Sequence, residues 1–510
     1  MNIKQAKEEI KNAMKAYFTK NDIGEYVIPI EKQRPVLLIG PPGIGKTHIM
    51  EQIAQELGVG LLSYSMTHHT RQSALGLPFI ETKTYGGKEY QISEYTMSEI
   101  IASVYDKIEE SGVKEGILFL DEINCVSETL APAMLQFLQY KTFARHSVPS
   151  GWLVVTAGNP PEYNNSVREF DMVTLDRLKK IEVEADYSVW KEYALNNNIH
   201  PAITSYLEIK SLDFYIVEST IDGKNFVTAR GWEDLSSMLD LYELHKLPID
   251  ESLVVQYLQK KRVAKDFAVY YDLFNKYRSD YQIEEILSGI MKETIIERGR
   301  RAKFDERLAL IGLLLDAVSK SIASFFHEEE MVMNMLPILK EVKSLVAKSD
   351  KAMIIDTLRN EITSSEDKEN RKLVAGNLRM DEKIISSYYR NALSGFISEL
   401  TLADNVQKGE ECFKLLKSLY DKQTKSMRLN ASAISDKLNN MFIYAEKAFG
   451  KSQEILIIAT ELTINRKSAR FISNYGCEMY FKHNKELLLN ERHGDILRQI
   501  EDFEIEVEVE

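Results

Sequence analysis

Hydrophobic positions change their spacing along this chain, and each spacing predicts a different element. At the start, Ile3, Ala6, Ile10, Ala13, Met14 and Tyr17 recur three or four residues apart. That interval puts them on one face of an amphipathic helix. Short continuous apolar runs follow: PVLLIG from position 35, VGLLSYS from 59, GILFLDE from 116, GWLVVTAGN from 151 and KKIEVEAD from 179. Runs of this length, separated by helical patterns, predict buried strands of a parallel sheet with helices on both faces. The pattern accounts for residues 1–186.

From 187 to 289 the period is mostly helical. The exception is FYIVESTIDGKNFVTAR, which reads as two short strands about an Asp222-Gly223 turn. Residues 290–500 are almost wholly helical in pattern. Met331, Met333 and Met335 cluster there, and core packing is the reading preferred over a partner groove. The last ten residues, EDFEIEVEVE, alternate acids with apolar residues. Acids packed so densely repel one another, which predicts a frayed end at 501–510. The expected class is α/β: a five-stranded parallel sheet between helices at 1–186, a helical lid with a small hairpin at 187–289, and a large all-helical region at 290–500.

Composition narrows the picture little. The chain has 510 residues and a net charge of −13, which argues against a protein built to coat nucleic acid. Three cysteines, Cys125, Cys412 and Cys477, are too few and too far apart for a disulfide framework. No run of 18 apolar residues predicts a membrane span, and the charged N-terminus is unlike a signal peptide. A cytoplasmic protein is the expectation.

The chemistry lies in VLLIGPPGIGKTHIM, residues 36–50. Gly40-Pro41-Pro42-Gly43-Ile44-Gly45-Lys46-Thr47 has the P-loop spacing and joins a strand to a helix whose first turn holds His48. Glycines let backbone N–H groups point at phosphate oxygens, with a helix N-terminus behind them. Lys46 would reach the β and γ phosphates, and Thr47 would hold Mg²⁺ through its hydroxyl. The bland alternative is an ordinary strand–helix turn. A second apolar strand ends in Asp121-Glu122. Asp121 can hold the magnesium through its water shell, and Glu122 can deprotonate an attacking water. Adjacent parallel strands would bring both strand ends to one switch point. A third strand ends at Asn159, whose amide can hold the water or the γ-phosphate.

In this order the motifs resemble those of the AAA+ ATPases, over about residues 1–285. They are most similar to the MoxR-like branch. ALGLP at 74–78 followed by FIETKTYGGKEYQISEYT is similar to that branch's inserted hairpin, here near 76–95. GNPPEYN resembles its sensor region, LNNNIHPAITSYL its lid and FVTARGWEDLS the start of its sensor-2 helix. The resemblance implies ATP and Mg²⁺, with Thr47 and Asp121 as magnesium residues and Glu122 as the catalytic glutamate. It implies Asn159 as sensor 1 and Arg230 as the lid arginine on the γ-phosphate. Arg177, with Arg168 as second candidate, matches the finger that enters a neighbouring subunit's site. It further implies a hexameric ring acting on a protein client, often with a von Willebrand A-domain partner. Tyr85 and Tyr90 at the hairpin tip are the expected grips. The C-terminal helical half, which the resemblance does not cover, is expected to recognise the client or the adaptor.

Two other classes stand beside this one. A nucleic-acid motor is disfavoured by the acidic charge, and a nucleotide-controlled scaffold has no need of Glu122. The choice between ATP and GTP stays open at this level. His68-His69 has no third ligand at metal-site spacing, and Cys125 reads as a small packing residue.

Overall fold

The computed structural model describes residues 1–163, 167–168, 170–220, 223–346, 349–403, 406–450 and 452–485. The tail at 501–510 and Asp222 lie outside the described residues. The chain divides into two compact units. The first comprises Met1–Val189, Thr228–Arg230 and Asn360–Ser386; the second comprises Trp190–Val227, Gly231–Arg359 and Ser387–Glu510.

The first unit opens with the helix Ile3–Tyr17. Asn2 caps it, its side chain accepting from Gln5 N at 3.0 Å, and Ala6, Ile10, Ala13 and Met14 are buried. Among its described residues nine strands follow in order: β1 Val36–Ile39, β2 Gly60–Ser65, β3 Pro78–Tyr85, β4 Lys88–Tyr95, β5 Gly116–Asp121, β6 Thr142–Phe143, β7 His146–Ser147, β8 Trp152–Gly158 and β9 Lys179–Glu182. Five of them form one parallel sheet in the order β2-β5-β8-β1-β9. The apolar runs are buried because both faces are covered: Leu37, Leu38, Phe119, Leu120 and Val155 keep no exposed surface. The Trp152 ring packs against Gly116 and Gly60, the first residues of β5 and β2. A Cβ on Gly116 would sit 2.7 Å from the Trp152 ring, so only glycine admits that close approach.

The sheet corrects one expectation. β1 and β5 are not adjacent, because β8 lies between them. The reason is connectivity: after β1 the chain crosses by the helix Lys46–Leu57 to β2 at the sheet edge, and then fills inward through β5 and β8.

β3 and β4 pair antiparallel from Pro78↔Tyr95 to Tyr85↔Lys88 and form a separate two-stranded arm. Gly86 and Gly87, both at positive φ, make its tip. Tyr85 and Tyr90 are about half exposed there, with ring centroids 6.1 Å apart. Gly76 closes the base: a Cβ there would lie 2.1 Å from Thr96 O.

The second unit is largely helical. β10 Ile216–Thr220 and β11 Gly223–Val227 form its hairpin, with Gly223 in the last pair, opposite Thr220. Tyr206, Trp232 and Phe267 make an aromatic core, and Trp232 Nε1 donates to Phe214 O at 3.1 Å. The helix Phe304–Leu345 is long and apolar enough by composition to cross a membrane, yet 56% of its apolar window is buried. It behaves as a core helix, with Leu310, Leu314, Val318 and Ile322 facing inward. Met331 and Met335 are buried and Met333 is exposed, which fits core packing over a methionine groove.

Candidate active site

The turn after β1 is shaped by two glycines in the left-handed region, Gly43 at φ +72° and Gly45 at φ +94°. L side chains rarely adopt that conformation. Gly45 also starts the helix Lys46–Leu57 with no side-chain cap, so the first backbone N–H groups of the helix are available to an anion.

Lys46 is buried, and its ammonium donates to three oxygens. These are Gly40 O at 2.8 Å, Pro41 O at 2.8 Å and Asn159 Oδ1 at 2.9 Å. Burial is the main reason its pKa falls to about 8; Asp121 and Glu122 oppose that shift and Arg230 adds to it. Thr47 Oγ1 donates to Asp121 Oδ2 at 3.0 Å. The intervening β8 therefore does not separate the turn from β5. It places Asn159 between them.

Glu122 has φ 56°, a strained setting for a non-glycine residue. Its N–H donates to Asp121 Oδ1 at 2.9 Å, which helps fix the turn. Its carboxylate is held by two hydroxyls: Ser65 Oγ at 3.1 Å and Thr67 Oγ1 at 3.0 Å both reach Oε2. Sequence reasoning missed this pair. The signal was present, since Ser65 ends β2, the strand that pairs with β5, and Thr67 follows two residues on, but serine and threonine at a strand end ordinarily mark a turn.

Asn124 is a second residue missed. Its Nδ2 donates to Asn159 O at 2.8 Å, and its side chain fills the space beside Gly158, where a Cβ would lie 2.5 Å from Oδ1. Arg168 N donates to Asn124 O at 2.9 Å, but the Arg168 guanidinium pairs with Glu128 at 2.7 Å. Arg230 N donates to Gly43 O at 3.1 Å, and Thr228 packs where a Gly43 Cβ would be. That segment thus comes up to the phosphate turn within the first unit.

Arg177 stands apart. It is exposed and forms no salt bridge among the described residues. It precedes β9, whose first residue Lys179 pairs with Val36, while Glu182 pairs with Ile39 at the turn end of β1. Arg177 is therefore at the opposite end of the sheet from its own turn. His48 pairs with Glu51 at 3.3 Å and Ile44 is buried. Burial raises the pKa of the Cys125 thiol, which suits a packing residue. His69 Nδ1 lies 3.2 Å from Ser73 Oγ.

These residues fit a nucleoside triphosphate with Mg²⁺. The uncapped helix start and the glycine turn suit phosphate oxygens, and the paired hydroxyl and carboxylate of Thr47 and Asp121 are the hard oxygen donors magnesium takes.

Residues 36–173 match the family model described as "ATPase family associated with various cellular activities (AAA)". The match spans Gly40 to Thr47, Asp121, Glu122, Asn159 and Arg168, and ends before Arg177 and Arg230. No curated protein matches. Among solved structures, a Lys-to-Arg mutant of RuvB from Thermotoga maritima matches at 16% identity. It covers 56% of this chain and 76% of that chain, at a TM-score of 0.27, a likeness too distant to bear on function. The match supports an AAA ATPase domain at residues 36–173; the five-stranded parallel core extends past it to β9, and many helices follow in the C-terminal region.

Proposed function

We propose that this chain is an ATPase that assembles into a ring and couples ATP hydrolysis to movement of its β3–β4 arm on a protein client. One observation carries the reading. Thr47 bonds Asp121 at 3.0 Å while Lys46 bonds Asn159 at 2.9 Å, so one glycine turn engages the ends of two separate strands. A turn with only a structural role has no need of both.

In this reading Lys46 and the Gly40–Thr47 backbone hold the phosphates, and Thr47 and Asp121 hold Mg²⁺. When bound, Mg²⁺ supplies neutralisation of the charge on the β and γ oxygens. Glu122 takes a proton from the attacking water once it leaves Ser65 and Thr67. Asn159 orients the water or the terminal phosphate, and Arg230 meets that phosphate from beside Gly43. Arg177 of a second copy supplies the trans charge, since its own turn is at the far end of the sheet. An arginine so placed contributes about 10³–10⁵ in rate.

The resemblance to MoxR-like proteins extends the reading to a hexameric ring, a von Willebrand A-domain adaptor and a cytoplasmic setting. The test is Glu122→Gln. Its ATP affinity should stay near that of the wild type while turnover falls about 10²–10⁴-fold. Pull-down of that variant with ATP and Mg²⁺ should then retain a protein. Normal turnover removes Glu122 as base, and stimulation of the wild type by single-stranded DNA favours the nucleic-acid motor instead.

A further inference from the structure

The β3–β4 arm projects from the first unit, yet one of its faces is pinned. Phe79, Glu81, Lys83 and Tyr85 share that face, and the register puts Glu94 opposite Phe79. Lys83 pairs with Glu94 and reaches Glu81 at 3.3 Å. Arg145 pairs with the other oxygen of Glu94 and lies 3.7 Å from Glu81. The Glu94 side chain keeps only 12% of its surface exposed, on an arm whose tip tyrosines are about half exposed.

Arg145 does not belong to the arm. It lies in the turn between β6 and β7, next to Ala144 at φ 50°. That small hairpin is anchored in the core, with Phe143 buried and stacked on Phe137 at 4.3 Å. Its second strand also holds the arm, through His146 Nε2 donating to Tyr95 O at 3.3 Å. Five residues beyond Ser147 the chain enters β8, which ends beside Asn159, the partner of Lys46. One short segment thus joins the arm to the strand that reports on the phosphate turn.

We infer that Arg145 is a positioning residue that transmits the nucleotide state of the site to the arm, by clamping Glu81 and Glu94 against the β6–β7 hairpin. This rests on the nucleotide reading above. Energetics favour positioning over stability. Exposed ion pairs contribute about 0–1 kcal/mol, and Arg145 is half exposed. One guanidinium nitrogen, Nη2, meets both carboxylates, on Glu94 directly and on Glu81 at 3.7 Å, so the charge of Arg145 lies between two acids of the arm and ties both to the β6–β7 turn. When β8 shifts with Asn159, the clamp turns the arm with it. Without the clamp the arm keeps its base at Gly76 and Thr96 and its His146–Tyr95 contact, but loses the charged brace on Glu81 and Glu94.

The test is hydrogen exchange of residues 78–95 in the full chain, with and without ATPγS and Mg²⁺. In the wild type, nucleotide should change exchange in the arm. In Arg145→Ala, nucleotide affinity should stay within about threefold of the wild type and the nucleotide-dependent difference should vanish; Arg145→Lys should restore part of it. A merely structural role would raise exchange in both states and leave their difference intact, which would overturn the inference. A wild-type arm indifferent to bound nucleotide would also overturn it while leaving the nucleotide reading standing. A wild type that binds no nucleotide would sink the reading beneath it.

Discussion

Thr67 donates to Glu122 Oε2 at 3.0 Å, and Ser65 reaches the same oxygen at 3.1 Å. Two donors on one oxygen hold the carboxylate toward β2. Each hydrogen bond to a charged group is worth about 1.5–3 kcal/mol. Removing both hydroxyls in Ser65→Ala with Thr67→Ala should free Glu122 and raise basal ATP turnover roughly threefold to tenfold, well below the full bond energies because water replaces the lost donors. Steady-state phosphate release measures it, and a fall in turnover would assign the hydroxyls a supporting role in the reaction.

Lys46 titrates at about 8 because it is buried. Its folded pKa lies below the unfolded value, so above pH 8 the folded protein gives up a proton that the unfolded chain keeps. The contribution to stability therefore rises with pH from about 8 toward the ordinary lysine range. Phosphate binding runs the other way. ATP affinity should weaken above pH 8 by up to roughly tenfold per unit, as the ammonium is lost. Lys46→Met should lose the ATP site and show neither pH effect in urea titrations or nucleotide-binding curves.

Thr47 and Asp121 together bear on magnesium. Asp121→Asn should leave Mg²⁺-free nucleotide binding near the wild-type level and remove the tightening that Mg²⁺ brings. Turnover should fall by about two orders of magnitude, as for loss of a main electrostatic contact. Titration of a fluorescent ATP analogue with and without Mg²⁺ separates the two effects.

Gly158 borders Asn124 so closely that an added methyl would lie 2.5 Å from Oδ1. Gly158→Ala should displace the Asn124 side chain, cost about 1–3 kcal/mol of stability, and lower turnover by freeing the Asn159 backbone. Thermal unfolding and ATPase rates measured on the same preparation check both.

Much of this site was legible in the chain because its residues stand at strand ends. Five apolar runs gave five strands; Asp121 ends one of them, and Lys46, Thr47, Glu122 and Asn159 each follow one. The strand order was not legible: a buried run looks the same at the centre of a sheet as one place over, so β8 between β1 and β5 was missed. Ser65, Thr67 and Asn124 were missed because each acts through a partner distant in sequence. Helical periodicity reads the faces of residues 360–386 but says nothing of their grouping with the first unit. There Asn377 Nδ2 lies 3.5 Å from Val59 O.

The central claim is that hydrolysis needs two copies, because Arg177 sits beyond the start of β9, at the sheet end away from its own phosphate turn. Mixing Arg177→Ala with Lys46→Ala tests it most directly. Each variant alone should be inactive, and the mixture should recover part of the ATPase activity where an intact turn meets an intact Arg177. Co-assembly verified by light scattering with no recovery at any ratio would contradict the account.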